Sequence, residues 1–310
     1  MSAVSDARHF EFQELANGVW AAIARDTGLA RSNGGFVDLG GVTVVIDTHM
    51  TPLASGEVRA AAEAVTGRGV DYVFYTHWHG DHIFGGPAFE AATRFIGTAG
   101  SHRLMSERAM ASYENSVGGM RQQITALEAS GDLSEAQQQE LAGLRELAES
   151  LADFQPRIPD ITFTDQMALY GAQRGAQLLS VGGGHSPDDA VLYLPEDGIL
   201  FAGDLLFNQR HPFMGGGGEP HEWIRILLRI EAELGPTVVV PGHGPLGTLA
   251  DLVLERQYLS EMERLLRQAV ADGLTLEECQ ALELPEEYAA WPASPMLGRN
   301  VEFLYARISG

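Results

Sequence analysis

The sequence predicts an α/β fold, and three observations support this prediction. Short apolar runs rich in β-branched residues alternate with segments of helical periodicity, as in layered α/β proteins. Hydrophobic residues make up 45% of the 310 residues, so a substantial core can be buried. Charged residues make up only 20%, which argues against a disordered chain. We therefore expect one sizeable α/β domain with helical additions.

The first hundred residues predict several strands and one helix. The run GVTVVIDT is apolar and β-branched throughout, as expected of a strand that is buried on both faces. A helix is expected from about Ser55 to Val65. The strands predicted in this part are 18–24, 36–39, 41–48, 71–76 and 94–97.

From about His102 to Phe154 glutamine, glutamate, alanine and leucine dominate. Ser134 followed by Gln137 predicts a capping box at a helix start. Leucines recur there at helical spacing, at Leu141, Leu144, Leu147 and Leu151. We interpret the segment as a helical insertion that packs on the core, acts as a lid or forms a dimer surface.

The second half of the chain returns to strands and ends in helices. The turn Pro195–Gly198 closes a predicted hairpin, and a helix is expected from about His221 to Leu234. Thr275 and Glu278 predict a second capping box. The strands predicted in this half are 161–163, 176–181, 190–194, 199–202 and 237–240.

Charge and composition narrow the possible partners. The formal net charge of −22 repels phosphate backbones and acidic membranes, so we expect a small-molecule substrate rather than nucleic acid or a membrane. All 20 basic residues are arginine, which excludes a Schiff-base or phosphate-loop lysine. Cys279 is the only cysteine, so the chain cannot form an internal disulfide. With no signal-like start and no long apolar stretch, the expectation is a soluble, cytoplasmic protein.

A histidine cluster directly follows the predicted strand 71–76. In extended chain His77 and His79 face the same side and can reach one metal ion together. Gly80 lets the backbone turn, so that Asp81 and His82 can point towards a second metal ion. Imidazole and carboxylate groups suit zinc, iron and manganese.

Three further candidate ligands lie in glycine-rich surroundings after later strands. His185 lies in GGGHSP, Asp204 ends FAGD and His243 lies in PGHG. Each follows a predicted strand, and the ends of strands are where an α/β layer gathers its functional loops. In this order, behind the first cluster, they predict one metal centre.

The runs THWHGDH, GGGHSPDD, FAGDLLF and PGHG resemble the metallo-β-lactamase superfamily. The resemblance covers about residues 10–249 and implies an αββα sandwich with two metals at one edge of the sheets. It implies a metallo-β-lactamase-like domain over 1–249, with the insertion at about 102–154, and a helical C-terminal extension over 250–310. An oligomer formed through the insertion is compatible with this organisation.

The resemblance also implies which residues bind the metals. One metal would bind His77, His79 and His185, the other Asp81, His82 and His243, and Asp204 would bridge both. Zinc is the expected metal from the ligand types, with iron or manganese as alternatives.

The implied activity is hydrolysis of a small lactam, lactone or ester by a metal-bound hydroxide, with Asp81 passing on its proton. A bridging Asp204 resembles the glyoxalase II, lactonase and ribonuclease Z branches. The residues 207–211 lack the cysteine-glycine-arginine run of glyoxalase II and persulfide dioxygenase. A thioester hydrolase of the glyoxalase II type and a mononuclear iron oxygenase of the persulfide dioxygenase type stay open as alternatives, as does a non-catalytic metal-binding protein.

The loop from Asn208 to Pro220 is expected to border the site, because it follows Asp204 directly. Arg210 and His211 in this loop, and Asn33 in an early loop, are the candidate substrate-binding residues. His49 follows no metal-binding pattern, and we expect it to be structural.

Overall fold

Two β-sheets, each with its own set of helices, account for the α/β alternation that the sequence predicts. The computed structural model describes residues 4, 7–152, 154–292 and 295–310. These residues group into two compact units. The first consists of Met1–Thr164 with Leu169–Gly175, and the second of Asp165–Ala168 with Ala176–Gly310. The domain boundary predicted at residue 249 stays a prediction.

The sheet of the first unit has seven strands that lie side by side in sequence order. The first four pair antiparallel, and the fourth to the seventh pair parallel. The strands are β1 (Phe10–Ala16), β2 (Val19–Ala24), β3 (Gly34–Asp38), β4 (Thr43–Ile46), β5 (Tyr72–Phe74), β6 (Arg94–Thr98) and β7 (Ile161–Phe163). The helices are α1 (Pro52–Thr66), α2 (Gly80–Ile83), α3 (Ala99–Ala129) and α4 (Glu135–Ser150).

The insertion consists of the two helices α3 and α4, which contact each other, as its composition predicts. The capping box at Ser134 and Gln137 is present at the start of α4. The four leucines at helical spacing are buried, with at most 9% of each side chain exposed. Phe84, which ends α2, packs its ring against Tyr113 of α3 and Phe154, at centroid distances of 6.0 and 4.8 Å. The insertion therefore packs directly on the residues that follow the histidine cluster.

The sheet of the second unit has five strands in the order β12-β11-β10-β9-β8. β9, β10 and β11 pair antiparallel, whereas β11 and β12 pair parallel. The strands are β8 (Gln166–Tyr170), β9 (Gly175–Gly182), β10 (Asp189–Leu194), β11 (Ile199–Phe207) and β12 (Val238–His243). The helices are α5 (Pro220–Glu233), α6 (Leu249–Ala271), α7 (Leu276–Gln280), α8 (Glu286–Ala289) and α9 (Pro295–Ser309).

The predicted end of β11 at Ala202 is wrong. The strand runs on to Phe207 because Leu205, Leu206 and Phe207 are buried apolar residues that continue it. Gly203 has a φ of 55°, in the left-handed region, where the register with β12 shifts. Asp204 therefore lies inside a strand rather than after its end.

Two strands were not predicted from the sequence. In β1 only Phe10 is buried and polar residues are frequent, while β8 has no buried residue at all. Neither strand carries the apolar run that identifies a buried strand. The capping box at Thr275 and Glu278 is confirmed at the start of α7, and Cys279 is a buried free thiol. Within the described residues, none of the helices combines the length and apolarity that crossing a membrane requires.

Replacing Leu192 with alanine should test the core of the second unit. Leu192 lies in β10 with none of its surface exposed, so truncation should lower the free energy of unfolding by about 2–5 kcal/mol. The matched control is Leu228→Ala in α5, because that side chain is 44% exposed and its loss should cost less than about 1 kcal/mol. Urea unfolding followed by circular dichroism measures both, and equal costs would contradict the assigned core.

Candidate metal centre

The histidine cluster of the first unit begins three residues after β5 and runs into α2. Residues 77–79 have no regular structure, and the short helix α2 begins at Gly80. A Cβ atom at Gly80 would lie 2.5 Å from the ring of Phe84. The glycine is therefore required for space beside Phe84, which the sequence pattern alone did not indicate.

Four potential ligands converge in this segment. The imidazole of His77 lies 4.8 Å from that of His79 and 4.3 Å from that of His82, between ring centroids. The Nε2 atom of His82 is 3.8 Å from the carboxylate of Asp81. His77 and His82 are buried, whereas His79 and Asp81 are partly exposed. Three imidazoles and one carboxylate in this arrangement match the donors that divalent transition metals prefer.

Behind this cluster, the buried carboxylate of Asp47 orients the ligands. It accepts hydrogen bonds from the backbone N–H and the hydroxyl of Thr76, both at 2.8 Å, and pairs with Nδ1 of His82 at 2.8 Å. The Thr76 hydroxyl also lies 3.0 Å from Nδ1 of His77. Because Nδ1 of each ring is engaged in this way, Nε2 is the atom that each ring can present to a metal.

Asp47 was not predicted from the sequence, although a usable signal exists. It follows the buried strand β4 directly, which is the same placement that was expected for Asp204. Burial raises the pKa of Asp47, while His82 and Thr76 lower it. Its φ of 60° is unusual for a residue other than glycine, and the surrounding hydrogen bonds hold it there.

Two further buried residues, Ser32 and His49, support the backbone of Asp81. The hydroxyl of Ser32 donates to the backbone oxygen of Asp81 at 2.5 Å. Nδ1 of His49 lies 3.1 Å from the backbone oxygen of Ser32. Burial lowers the pKa of His49 to about 3, so its ring is neutral at pH 7. The structural role expected for His49 agrees with this position.

In the second unit, Asp204 lies between two histidines. One of its carboxylate oxygens is 3.2 Å from Nε2 of His185, and the other is 3.3 Å from Nε2 of His243. Asp204 and His185 are buried, and His243 is 20% exposed at its side chain. The carboxylate of Asp204 therefore contacts both imidazoles, one with each of its oxygens.

The loop that carries His185 is shaped by a second buried carboxylate, that of Asp189. It accepts hydrogen bonds from the backbone N–H groups of Gly184, His185 and Ser186 at 2.8–3.0 Å. Burial raises the pKa of Asp189 to about 7, although these hydrogen bonds lower it. Three backbone donors on one carboxylate fix the path of the loop and hence the origin of the His185 side chain.

Aromatic rings and a close glycine hold the three candidate ligands of the second unit. The ring of Phe207 stacks on that of His243 at 4.8 Å and 11°, and Trp223 meets the ring of His185 edge-on at 5.4 Å. A Cβ atom at Gly242 would lie 1.9 Å from Oδ1 of Asp204, so no other residue fits there without movement. Packing thus leaves these side chains little freedom.

The three predicted substrate-binding residues have different surroundings. Arg210 is exposed, at a tight turn in which its N–H donates to the backbone oxygen of Phe207 at 3.2 Å. Asn33 is buried and accepts a hydrogen bond from the N–H of Ala24 at 2.8 Å. His211 is also buried, with Nδ1 lying 3.1 Å from the hydroxyl of Tyr258. Burial lowers the pKa of His211, so its ring is neutral at pH 7.

Sequence reasoning also missed Glu255 of α6. It is buried, with 1% of the residue exposed. Burial raises the pKa of Glu255 well above its usual range, and the negative charge of Asp204 raises it further. No pattern in the sequence distinguishes this glutamate from the many exposed ones on the same helices.

The family model for the metallo-beta-lactamase superfamily matches residues 27–243, more than half of the chain. A linear primary-alkylsulfatase of a Pseudomonas species is 26% identical over 271 residues, covering 80% of this chain and 49% of the relative. A type 2 metallo-beta-lactamase of Bacteroides fragilis is 31% identical over 93 residues, covering 29% of this chain and 37% of the relative. The chain thus spans half or less of the length of these curated relatives.

Solved structures of both kinds share the fold. The sec-alkylsulfatase Pisa1 from a Pseudomonas species superposes with a TM-score of 0.68 at 18% identity, covering 96% of this chain and 50% of that one. A metallo-beta-lactamase from Pontibacter korlensis gives a TM-score of 0.61 at 20% identity, covering 81% of this chain and 99% of that one. The family match confirms the resemblance read from the sequence motifs: the chain belongs to the metallo-beta-lactamase superfamily.

Proposed function

We propose that this chain is a metal-dependent hydrolase that binds two divalent metal ions, with zinc as the first candidate. The proposed ligands are His77, His79 and His185 for one ion, Asp81, His82 and His243 for the other, and Asp204 for both. The observation that carries the proposal is the position of Asp204, which directs one oxygen to His185 and the other to His243. The engaged Nδ1 atoms of His77 and His82 support the same ligand set.

When bound, such ions lower the pKa of water from 15.7 to about 7 and thereby supply a nucleophile at neutral pH. The chain's own residues orient the ligands and handle the proton. Asp81 has a partly exposed carboxylate, and we assign to it the role of holding and passing on a proton. Asp47 fixes the ring of His82, and Asp189 fixes the loop of His185.

For the substrate we propose a small sulfate ester, which is cleaved with water to an alcohol and inorganic sulfate. The curated match to an alkylsulfatase extends over 80% of this chain, much further than the match to a lactamase. A sulfate ester is an anion, and the formal net charge of −22 means that binding it requires local positive charge. Arg210 is the exposed cation of the turn after β11, and we assign it to the sulfate group.

A lactam or lactone is the second candidate substrate. The lactamase of Bacteroides fragilis has the higher identity, 31%, although over a short segment. The iron oxygenase and the thioester hydrolase remain alternatives that direct assays separate, because each consumes or releases a different compound.

The first test measures metal content and hydrolysis together. We expect about two zinc ions per chain by mass spectrometry, and release of sulfate from a medium-chain alkyl sulfate that a chelator abolishes and added zinc restores. Nitrocefin, a homoserine lactone and a glutathione thioester are assayed in parallel, together with oxygen uptake. About one iron per chain with oxygen uptake and no hydrolysis would overturn the proposal in favour of the oxygenase.

Removing the negative charge of Asp204 should lower activity and metal binding more than removing a residue that only orients a metal ligand. Substituting a residue that only orients a metal ligand lowers metal affinity or activity by about 10–100-fold. We therefore expect Asp204→Asn to lower kcat/KM by more than about 100-fold and to reduce the metal content per chain. Asp165→Asn, an exposed change in the same unit, is the control. Full metal content and activity in Asp204→Asn would contradict a shared ligand.

The substitution Asp47→Asn tests the orienting role of this carboxylate. An asparagine of the same shape lacks the negative charge that pairs with His82, so we expect metal affinity or activity to fall by about 10–100-fold. Asp38→Asn removes the same charge from a residue that pairs with Arg68, and it should leave metal affinity unchanged. Metal affinity is read from competition with a zinc-binding dye, and equal effects of the two variants would refute the assignment.

A further inference from the structure

We propose that Asn300, on the C-terminal helix α9, is a positioning residue that holds the loop bordering the candidate site in the conformation that binds substrate. The inference rests on the proposed function and adds a residue to it that lies outside the segment matched by the family model. We name residues 208–218 the site loop. It leaves the end of β11, which carries Asp204, and reaches the start of α5.

Both ends of the site loop are tied to segments that carry ligands. At one end the N–H of Asn208 donates to the backbone oxygen of His243 at 2.9 Å. At the other end the N–H of Gly218 donates to the backbone oxygen of His185 at 3.2 Å. The ends are therefore fixed beside the two histidines by bonds in which Asn300 takes no part.

The middle of the site loop is held by Asn300. Its side-chain oxygen accepts a hydrogen bond from the N–H of Met214 at 3.0 Å, and its amide nitrogen donates to the backbone oxygen of Pro212 at 2.6 Å. Beside them, the hydroxyl of Tyr258 of α6 lies 3.1 Å from Nδ1 of His211. Residues 211, 212 and 214 of the site loop are thus each contacted by a polar side chain of α6 or α9.

Asn300 itself has no exposed surface, so these hydrogen bonds are shielded from water. Removing a buried partner leaves the N–H of Met214 and the oxygen of Pro212 without their bonds, and the loop must rearrange to hydrate them. The exposed Arg210, which we assign to the substrate, lies directly before this held stretch, so we expect its side chain to lose its position when the stretch rearranges. The metal ligands should stay in place, because the ends of the loop are tied separately.

The first experiment compares steady-state kinetics of the zinc-loaded wild type and Asn300→Ala with an alkyl sulfate. We expect KM to rise about 10-fold while kcat changes less than about 2-fold, with unchanged zinc per chain, since two buried hydrogen bonds are lost without loss of a ligand. Asn300→Ser supplies a shorter hydroxyl that can replace one of the two hydrogen bonds, so it should give an intermediate KM. The control is Arg307→Gln on the same helix. It removes an exposed ion pair with Glu219 and should leave KM unchanged.

A second readout does not depend on turnover. Hydrogen exchange of the metal-free protein should become faster in Asn300→Ala for the site loop and remain unchanged for β10 and β11. Unchanged exchange in the loop, or a fall in kcat and zinc content with KM unaffected, would overturn the positioning role. If Asn300→Ala does not fold, the same comparisons are made with Asn300→Ser.

The two proposals fail separately. If the wild type hydrolyses none of the tested compounds, the proposed function fails, and binding of inorganic sulfate to the zinc-loaded protein then tests Asn300 by calorimetry. Weaker binding by Asn300→Ala than by Arg307→Gln would support the positioning role. Equal binding by the two variants, or no binding by the wild type, would overturn it.

Discussion

In each unit, a buried carboxylate that receives several hydrogen bonds holds the segment that carries the histidines. The carboxylate of Asp47 contacts Thr76 and His82. The carboxylate of Asp189 accepts hydrogen bonds from three successive backbone N–H groups around His185. Taking a carboxylate out of water is costly unless donors surround it, so each of these acids stabilises only one arrangement of its loop. The positions of His82 and His185 depend directly on these two acids, whereas the ring of His243 is held by Phe207 and Asp204.

The ligand residues could be predicted from the sequence because they cluster or follow recognisable strands. His77 to His82 lie within six residues, and His185, Asp204 and His243 each accompany glycine after an apolar run. Their partners could not be predicted in the same way. Glu255 and Asn300 reach the second unit's ligand segments from helices far along the chain, and only the folded packing of α6 and α9 brings them there.

The fold was predicted to a similar extent and for similar reasons. Runs of apolar residues predict buried strands such as β4 and β10. Residue type and spacing predict the capping boxes of α4 and α7. β8 has no buried side chain, so no hydrophobic pattern marked it. The extent of β11 was misjudged because an aspartate was taken as the end of a strand, whereas Gly203 lets the strand continue past it.

The glycines around the candidate ligands limit the positions at which this protein tolerates substitution. A side chain at Gly242 would meet Asp204, one at Gly244 would meet the backbone of Asn208, and one at Gly218 would meet Gly184. A substitution at any of these three glycines would therefore displace residues around the candidate ligands of the second unit. Variation that alters selectivity without displacing the ligands is instead available at the exposed Arg210, and at the exposed Gln209 for residues that tolerate its φ of 55°. A laboratory library confined to those two residues would sample new substrates while nearly every member kept its metal-binding groups.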